Sequence, residues 1–428
     1  PSERQWETYT KWTKELGSDI IHLDLPGTSI IVLSSMEAAP KELFEKRSSL
    51  YSDRPRLPML VDLMGWDFSM VGIIKACEHT YLAEMYLQRR AHRKLIHEGF
   101  NTSAAKQFHT QERAAVHAVL RRILRDPHSS CGEHFRHMAG ALVMDITYGI
   151  HFREDEDPYI RVAEGAMHGL SVASIPGAFV VDSVPALQYV PDWDPGAGFK
   201  RKAKEWEKLA LELLEVPFKE TQRNTDLGKA RPSFTSTNLR RLELQDNTET
   251  DKTNREAAVR ATGATMYAAG SDTTTVASLG TFGLGMPLNP EVQKKAQAEL
   301  DAVLGPGQLP NFVVEDSLPY VSAIVKETLR WRPALPIGVP HYINVDDEYR
   351  GYTTCRLLEV CWPNRVSPPT HKKPRPPGCA KFPGTPGNCY RHRRGLCAKG
   401  RYFGGGSYRL EWPSDRSITR CVGLDFPC

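Results

Sequence analysis

Apolar residues recur at three- and four-residue spacing through most of the chain, the period of helices that bury one face. The pattern predicts helices over 5–16, 37–50, 91–98, 103–125 and 133–149. Further on it predicts a long helix over 199–223, behind the turn Gly196-Ala197-Gly198, then a motif-bearing helix over 254–285 and two more over 290–304 and 318–331. Pro333 and Pro336 end the last of these. Residues 20–33, interrupted by Pro26-Gly27, predict a β-hairpin. The Met-, Leu- and Trp-rich segment 59–70, after the break at Ser52-Asp53-Arg54-Pro55-Arg56, reads as a lid over an apolar space. Residues 176–185 read as an apolar linker and 224–253 as a polar, exposed connection. The fold class is mainly α with minor β.

Past Tyr352 the period disappears. From Cys361 to Leu410 there is no Asp or Glu, while Pro, Lys, Arg, Gly and Cys abound. The chain therefore divides into a body over 1–352 and a tail over 353–428, poorly ordered by composition, with a strand expected at 408–412. Only Cys77 and Cys131 precede residue 354, which suits a reducing compartment for the body. The tail cysteines lack the C-x-x-C spacing of zinc knuckles. With 428 residues, 40% of them hydrophobic, a substantial core is expected, and a net charge of +4 is too small to argue for a nucleic-acid partner. No run reaches the roughly 18–20 apolar residues of a membrane span. The chain starts almost on a helix, so an upstream anchor is expected to be missing.

One run carries more chemistry than the rest. Ala269-Gly270-Ser271-Asp272-Thr273-Thr274 lies inside the apolar helix predicted over 254–285. Gly, Asp and Thr are all poor residues for a helix interior. Such a cluster reads as a groove cut beside a bulky cofactor, with Asp272 and Thr273 as a proton-handling pair at its lip. The plainer alternative is a buried Thr273 bonded to the carbonyl four residues earlier, with Asp272 at a kink. Thr265, Ala269, Thr273 and Val276 share a face. Glu327 and Arg330 form an i,i+3 pair, common on helix surfaces. Arg89-Arg90-Ala91-His92-Arg93-Lys94 is a basic turn, either a solvated face or a clamp for carboxylates. Hydrolase, zinc-protease and P-loop signatures are absent.

Taken in order, His92-Arg93, Ala269 to Thr274 and Glu327-Thr328-Leu329-Arg330 resemble the landmarks of cytochrome P450, fungal microsomal type. Tyr51-Ser52-Asp53-Arg54-Pro55, Leu318-Pro319-Tyr320-Val321 and Arg332-Pro333 through Pro340-His341 agree, and roughly residues 5–352 are covered. The resemblance implies the P450 fold, incomplete at the C-terminus, with haem b against the central helix. It implies that Asp272 and Thr273 relay protons to iron-bound dioxygen, and that Ala269 and Gly270 leave room for oxygen and substrate. His92, Arg93 and His341 would hold the haem propionates, while Glu327 and Arg330 would be structural. Ala334, Leu335 and Ile337, with segments 64–74 and 175–190, would line a pocket for a lipophilic substrate of secondary-metabolite, terpenoid or polycyclic type. The activity implied is a haem-thiolate monooxygenase, monomeric, at the endoplasmic reticulum membrane. Its electrons would come from NADPH-cytochrome P450 reductase and its oxygen from dioxygen.

Two departures stand out. Arg89 occupies a position where the family usually has Trp. The tail lacks the Phe-x-x-Gly-x-Arg-x-Cys-x-Gly loop that presents the axial thiolate, and Cys397 in Arg393-Arg394-Gly395-Leu396-Cys397 is the nearest metal-ligand candidate. A shifted or mis-spliced reading frame within 353–396 would account for this, since Tyr408 to Trp412 and Leu424 to Cys428 look like the family's terminal hairpin. The alternatives are a haem-free, non-catalytic remnant that binds a partner or lipid, and surface binding through the basic tail.

Overall fold

A helix and a hairpin open the described chain, helices fill the middle, and strands end it. The computed structural model describes residues 5–25, 28–35, 37–69, 82–101, 103–151, 157–175, 177–245, 248–271, 273–343, 345–354 and 358–361. Helix α1 (Gln5–Leu16) leads into β1 (Ile20–Leu25) and β2 (Thr28–Leu33), which pair antiparallel as the expected hairpin. The helix predicted over 37–50 is instead a π-helical stretch, Glu37–Lys46, followed by the short α2 (Ser48–Tyr51). Then come α3 (Leu82–Phe100), α4 (His109–Arg125), α5 (Cys131–Tyr148), α6 (Pro158–Ala173), α7 (Val180–Ser183) and α8 (Gly198–Asp226). They are followed by α9 (Phe234–Glu243), α10 (Glu249–Ser271), α11 (Thr274–Gly285), α12 (Pro290–Leu304) and α13 (Pro319–Trp331).

The chain then returns to its starting sheet. Strands β3 (His341–Ile343), β4 (Asp347–Tyr349), β5 (Tyr352–Thr354) and β6 (Leu358–Cys361) follow in order. Strand β6 sits between β2 and β3, parallel to the first and antiparallel to the second, giving the order β1-β2-β6-β3. Strands β4 and β5 make a separate hairpin.

Helix α10 is central because its second half is small or apolar nearly all round, and such a helix has to be enclosed by others. Ala258, Val259, Ala261, Thr262, Gly263, Ala264, Thr265, Tyr267, Ala268 and Ser271 are all buried. Two glycines on α10 seat the antiparallel α5. A Cβ at Gly270 would lie 2.7 Å from Val143, and one at Gly263 would lie 3.0 Å from the Tyr148 hydroxyl. Gly165 and Gly169 of α6 do the same for Leu209 and Trp206 of α8.

Three expectations change. Met59, Leu60, Met64 and Trp66 are not a lid, since each is at most 1% exposed and belongs to the main core cluster. The same residue types that cover an apolar space also fill one, and here they fill it. Residues 224–253 are not an unbroken exposed connection, because α9 buries Phe234, Leu239 and Leu242 and starts on a capping box between Ser233 and Ser236. Helix α6 was not predicted, although Asp157 caps it by accepting the Tyr159 N–H, with Pro158 in the first turn. Among the described residues, no helix is long and apolar enough to cross a membrane.

Candidate active site

The helix predicted over 254–285 is broken at the motif. Helix α10 stops at Ser271 and α11 starts at Thr274, with Asp272 outside the described residues. Thr273 has φ −109° and ψ −105°, away from the helical region. Its hydroxyl donates to the Ala269 carbonyl, and its own carbonyl accepts the Ala277 N–H at 2.9 Å. This bond to the carbonyl four residues earlier is the one the plainer reading of Thr273 expects. The bonded hydroxyl stands in the break.

Around the break, burial is only partial. Met266, Ala269, Gly270, Thr273, Val276 and Ala277 are partly exposed, while their neighbours from Ala261 to Ser271 are buried. The spacing is that of one helical stripe. These partly open side chains lie in the middle of an otherwise enclosed helix. Gly270 departs from expectation here. Its missing side chain gives room to Val143 of α5, and not to oxygen or substrate.

His92 lies at the head of this stripe, against Thr262. Its Nδ1 is 3.2 Å from the Thr262 hydroxyl, which also donates to the Ala258 carbonyl at 2.6 Å. A hydroxyl has one hydrogen. With that hydrogen on Ala258, the imidazole Nδ1–H must be the donor to Thr262. Burial holds the ring's pKa down to about 4, so it is neutral at physiological pH and its Nε2 is an acceptor. Arg93, its neighbour, is exposed. His341 stacks on Phe44, with ring centroids 4.2 Å apart, and donates through Nδ1–H to the Tyr51 carbonyl. Its Nε2 can hold a carboxylate only when the ring is protonated.

Glu327 and Arg330 form a fork. Arg330 donates to both carboxylate oxygens at 2.8 and 2.7 Å, and Glu327 is only 5% exposed. Glu299 of α12 accepts the Tyr320 and Val321 N–H groups, each at 2.9 Å, and so fixes the start of α13. Beyond α13, Ala334, Leu335 and Ile337 are half-buried. Ile337 packs against the cluster of Tyr9, Ile21, Ile30 and Val32, so it anchors this segment to the sheet. Arg54 donates to the carbonyls of Val339 and Pro340 at 3.0 and 2.8 Å. That clamp was missed, although Arg54 stood in a quoted motif, because nothing local announces a partner this far along the chain.

The other pocket segments divide. Val180, Val184 and Tyr189 are 65%, 47% and 80% exposed, whereas Phe179 and Leu187 pack on the core. Residues 70–74, Cys397 and the tail from 362 onward lie outside the described residues.

The cytochrome P450 family model matches residues 2–354. Cytochrome P450 monooxygenase 98 of Postia placenta is 41% identical over 352 residues, covering 82% of this chain and 64% of its own. Tryptamine 4-monooxygenase of Psilocybe cyanescens is 39% identical over 353 residues, covering 82% and 66%. This chain thus spans just under two thirds of the length of these curated relatives. A zebrafish cytochrome P450 solved with progesterone superimposes with a TM-score of 0.63 at 18% identity, covering 85% of this chain and 78% of that one. It shares the fold. By family model, relatives and fold together, the chain belongs to the cytochrome P450 family.

Proposed function

We propose that this chain is the body of a haem-thiolate monooxygenase that inserts one atom of dioxygen into a lipophilic small molecule. The second oxygen atom leaves as water, with two electrons from NADPH-cytochrome P450 reductase and two protons. The observation that carries this reading is the stripe along α10, apolar and partly open, with a hydroxyl held in a helix break at its centre. Such a wall fits one face of a flat macrocycle, and the family fits haem b. When bound through a cysteine thiolate, haem supplies the iron at which dioxygen is activated.

The chain's own residues would do the rest. Met266, Ala269 and Val276 would give the wall its apolar surface and exclude water. Thr273 would exchange its bond to the Ala269 carbonyl for one that passes a proton, with Asp272 as its partner in the relay. Arg93, with His92 and His341 when protonated, would hold the propionates, and His92 also pins α3 on α10. Glu327 and Arg330 would stiffen α13, and Ala334 and Leu335 would face the substrate. The thiolate would have to come from residues such as Cys397. Secondary metabolism and the endoplasmic reticulum membrane are the setting this reading favours, with the chain acting as a monomer.

The test is the absorbance of the reduced protein under carbon monoxide. A red-shifted Soret band supports the reading. A complete lack of haem absorbance after reconstitution overturns it in favour of the haem-free remnant.

A further inference from the structure

Helix α5 runs past the break and packs on both of its sides. On the α10 side it comes close at Gly263, where a Cβ would stand 3.0 Å from the Tyr148 hydroxyl, and at Gly270, where one would stand 2.7 Å from Val143. On the α11 side, Leu279 packs on the cluster that joins Met138 of α5 to Val119 and Ile123 of α4. An unbroken helix of 18 residues thus lies along two half-helices that end and begin at the motif.

The contact at Gly270 is the one that bears on Thr273. Both Val143 methyls approach the place a Gly270 Cβ would take, at 2.7 and 3.3 Å, and the Val143 Cβ lies 3.5 Å from it. The isopropyl group therefore fills the notch. A valine on a helix is held almost to one rotamer, which makes it a stiff wedge. The wedge bears on the peptide that joins Ala269 to Gly270. That unit is planar, and it holds the Ala269 carbonyl oxygen and the Gly270 Cα in one plane. Where Val143 sets the Gly270 Cα, the carbonyl follows, and that carbonyl accepts the Thr273 hydroxyl. The Thr273 carbonyl in turn receives the Ala277 N–H at 2.9 Å, so the first turn of α11 hangs from the same residue.

We propose that α5 is a splint across the break and that Val143 is a positioning residue, which sets where the Thr273 hydroxyl is parked by fixing Gly270. Its effect on the reaction rests on the proton relay proposed above, whereas the seating of the break does not depend on it. Val143→Ala empties the notch. In the double variant Val143→Ala/Gly270→Ala the two Cβ atoms meet at 3.5 Å, an ordinary van der Waals contact that closes the gap again.

Amide hydrogen exchange of the intact chain reads the break without haem, with Ala277 as reporter and residues 259–263 of α10 as internal reference. Neither substitution lies beside these amides, so their intrinsic rates cancel. Relative to the reference, Ala277 is expected to exchange about tenfold faster in Val143→Ala than in wild type, and the double variant should return to within about threefold. In haem-loaded protein, product formed per NADPH should fall about threefold in Val143→Ala and recover in the double variant, with KM changed less than about twofold. An even rise of Ala277 and the reference, or a double variant that leaves Ala277 loose, overturns the splint. The second comparison decides even if Val143→Ala alone does not fold. A product ratio that keeps its wild-type value while Ala277 loosens overturns the positioning of Thr273. A chain that takes up no haem removes the relay, and the exchange comparison still decides the splint.

Discussion

Thr273 holds its hydroxyl against the Ala269 carbonyl at a point where the backbone has left the helix. If it handles a proton there, Thr273→Ala should cut product formed per NADPH consumed by about tenfold or more, while Thr273→Ser restores much of it. Product and NADPH counted in the same assay check this. Gly270 makes a packing prediction. A Cβ 2.7 Å from Val143 forces a shift, so Gly270→Ala should cost about 1–3 kcal/mol in denaturant unfolding, and Val143→Ala should recover part of the loss. His92 makes a third. Its folded pKa of about 4 is below the unfolded value near 6.5, so its stability contribution is present above pH 6.5 and is lost as pH falls towards 4. That loss amounts to at most about 3 kcal/mol, and His92→Gln should flatten the stability profile across the window.

At the scale of elements, α13 is held by a fork whose carboxylate is buried. Arg330→Lys keeps the charge but not the two parallel bonds, and should cost about 2–3 kcal/mol, read as a lower thermal midpoint. What the sequence made legible at this scale was local. Glu327 and Arg330 sit one turn apart, and the glycine, serine and threonine at 270–274 broke helix preference where the helix in fact breaks. The hairpin announced itself through Pro26-Gly27. What stayed hidden needed a distant partner. Thr262 fixes the tautomer of His92 from 170 residues away, and Asp182 reaches Met59 across 123. Helix α9 escaped notice because three buried apolar residues in ten do not stand out from a polar stretch. The segment 59–66 failed for a different reason, since composition cannot distinguish a cover from a filling.

For the molecule as a whole, two buried groups titrate in overlapping windows with opposite sign. Acid removes the contribution of His92 below pH 6.5, while it relieves the charge on Asp182 below about 6. The stability profile between pH 4 and 6.5 should therefore be flatter in wild type than in Asp182→Asn, where only the histidine remains; melts at several pH values in both chains would measure it.

Strand β6 closes between β2 and β3, so the hairpin nearest the start of the chain gains its inner neighbour only from residues 358–361. During synthesis, β2 must wait with bare amides and carbonyls while nearly all the helices emerge, an invitation to mispairing between nascent chains. Ribosome-bound fragments ending before residue 358 should therefore need chaperones that longer fragments can do without.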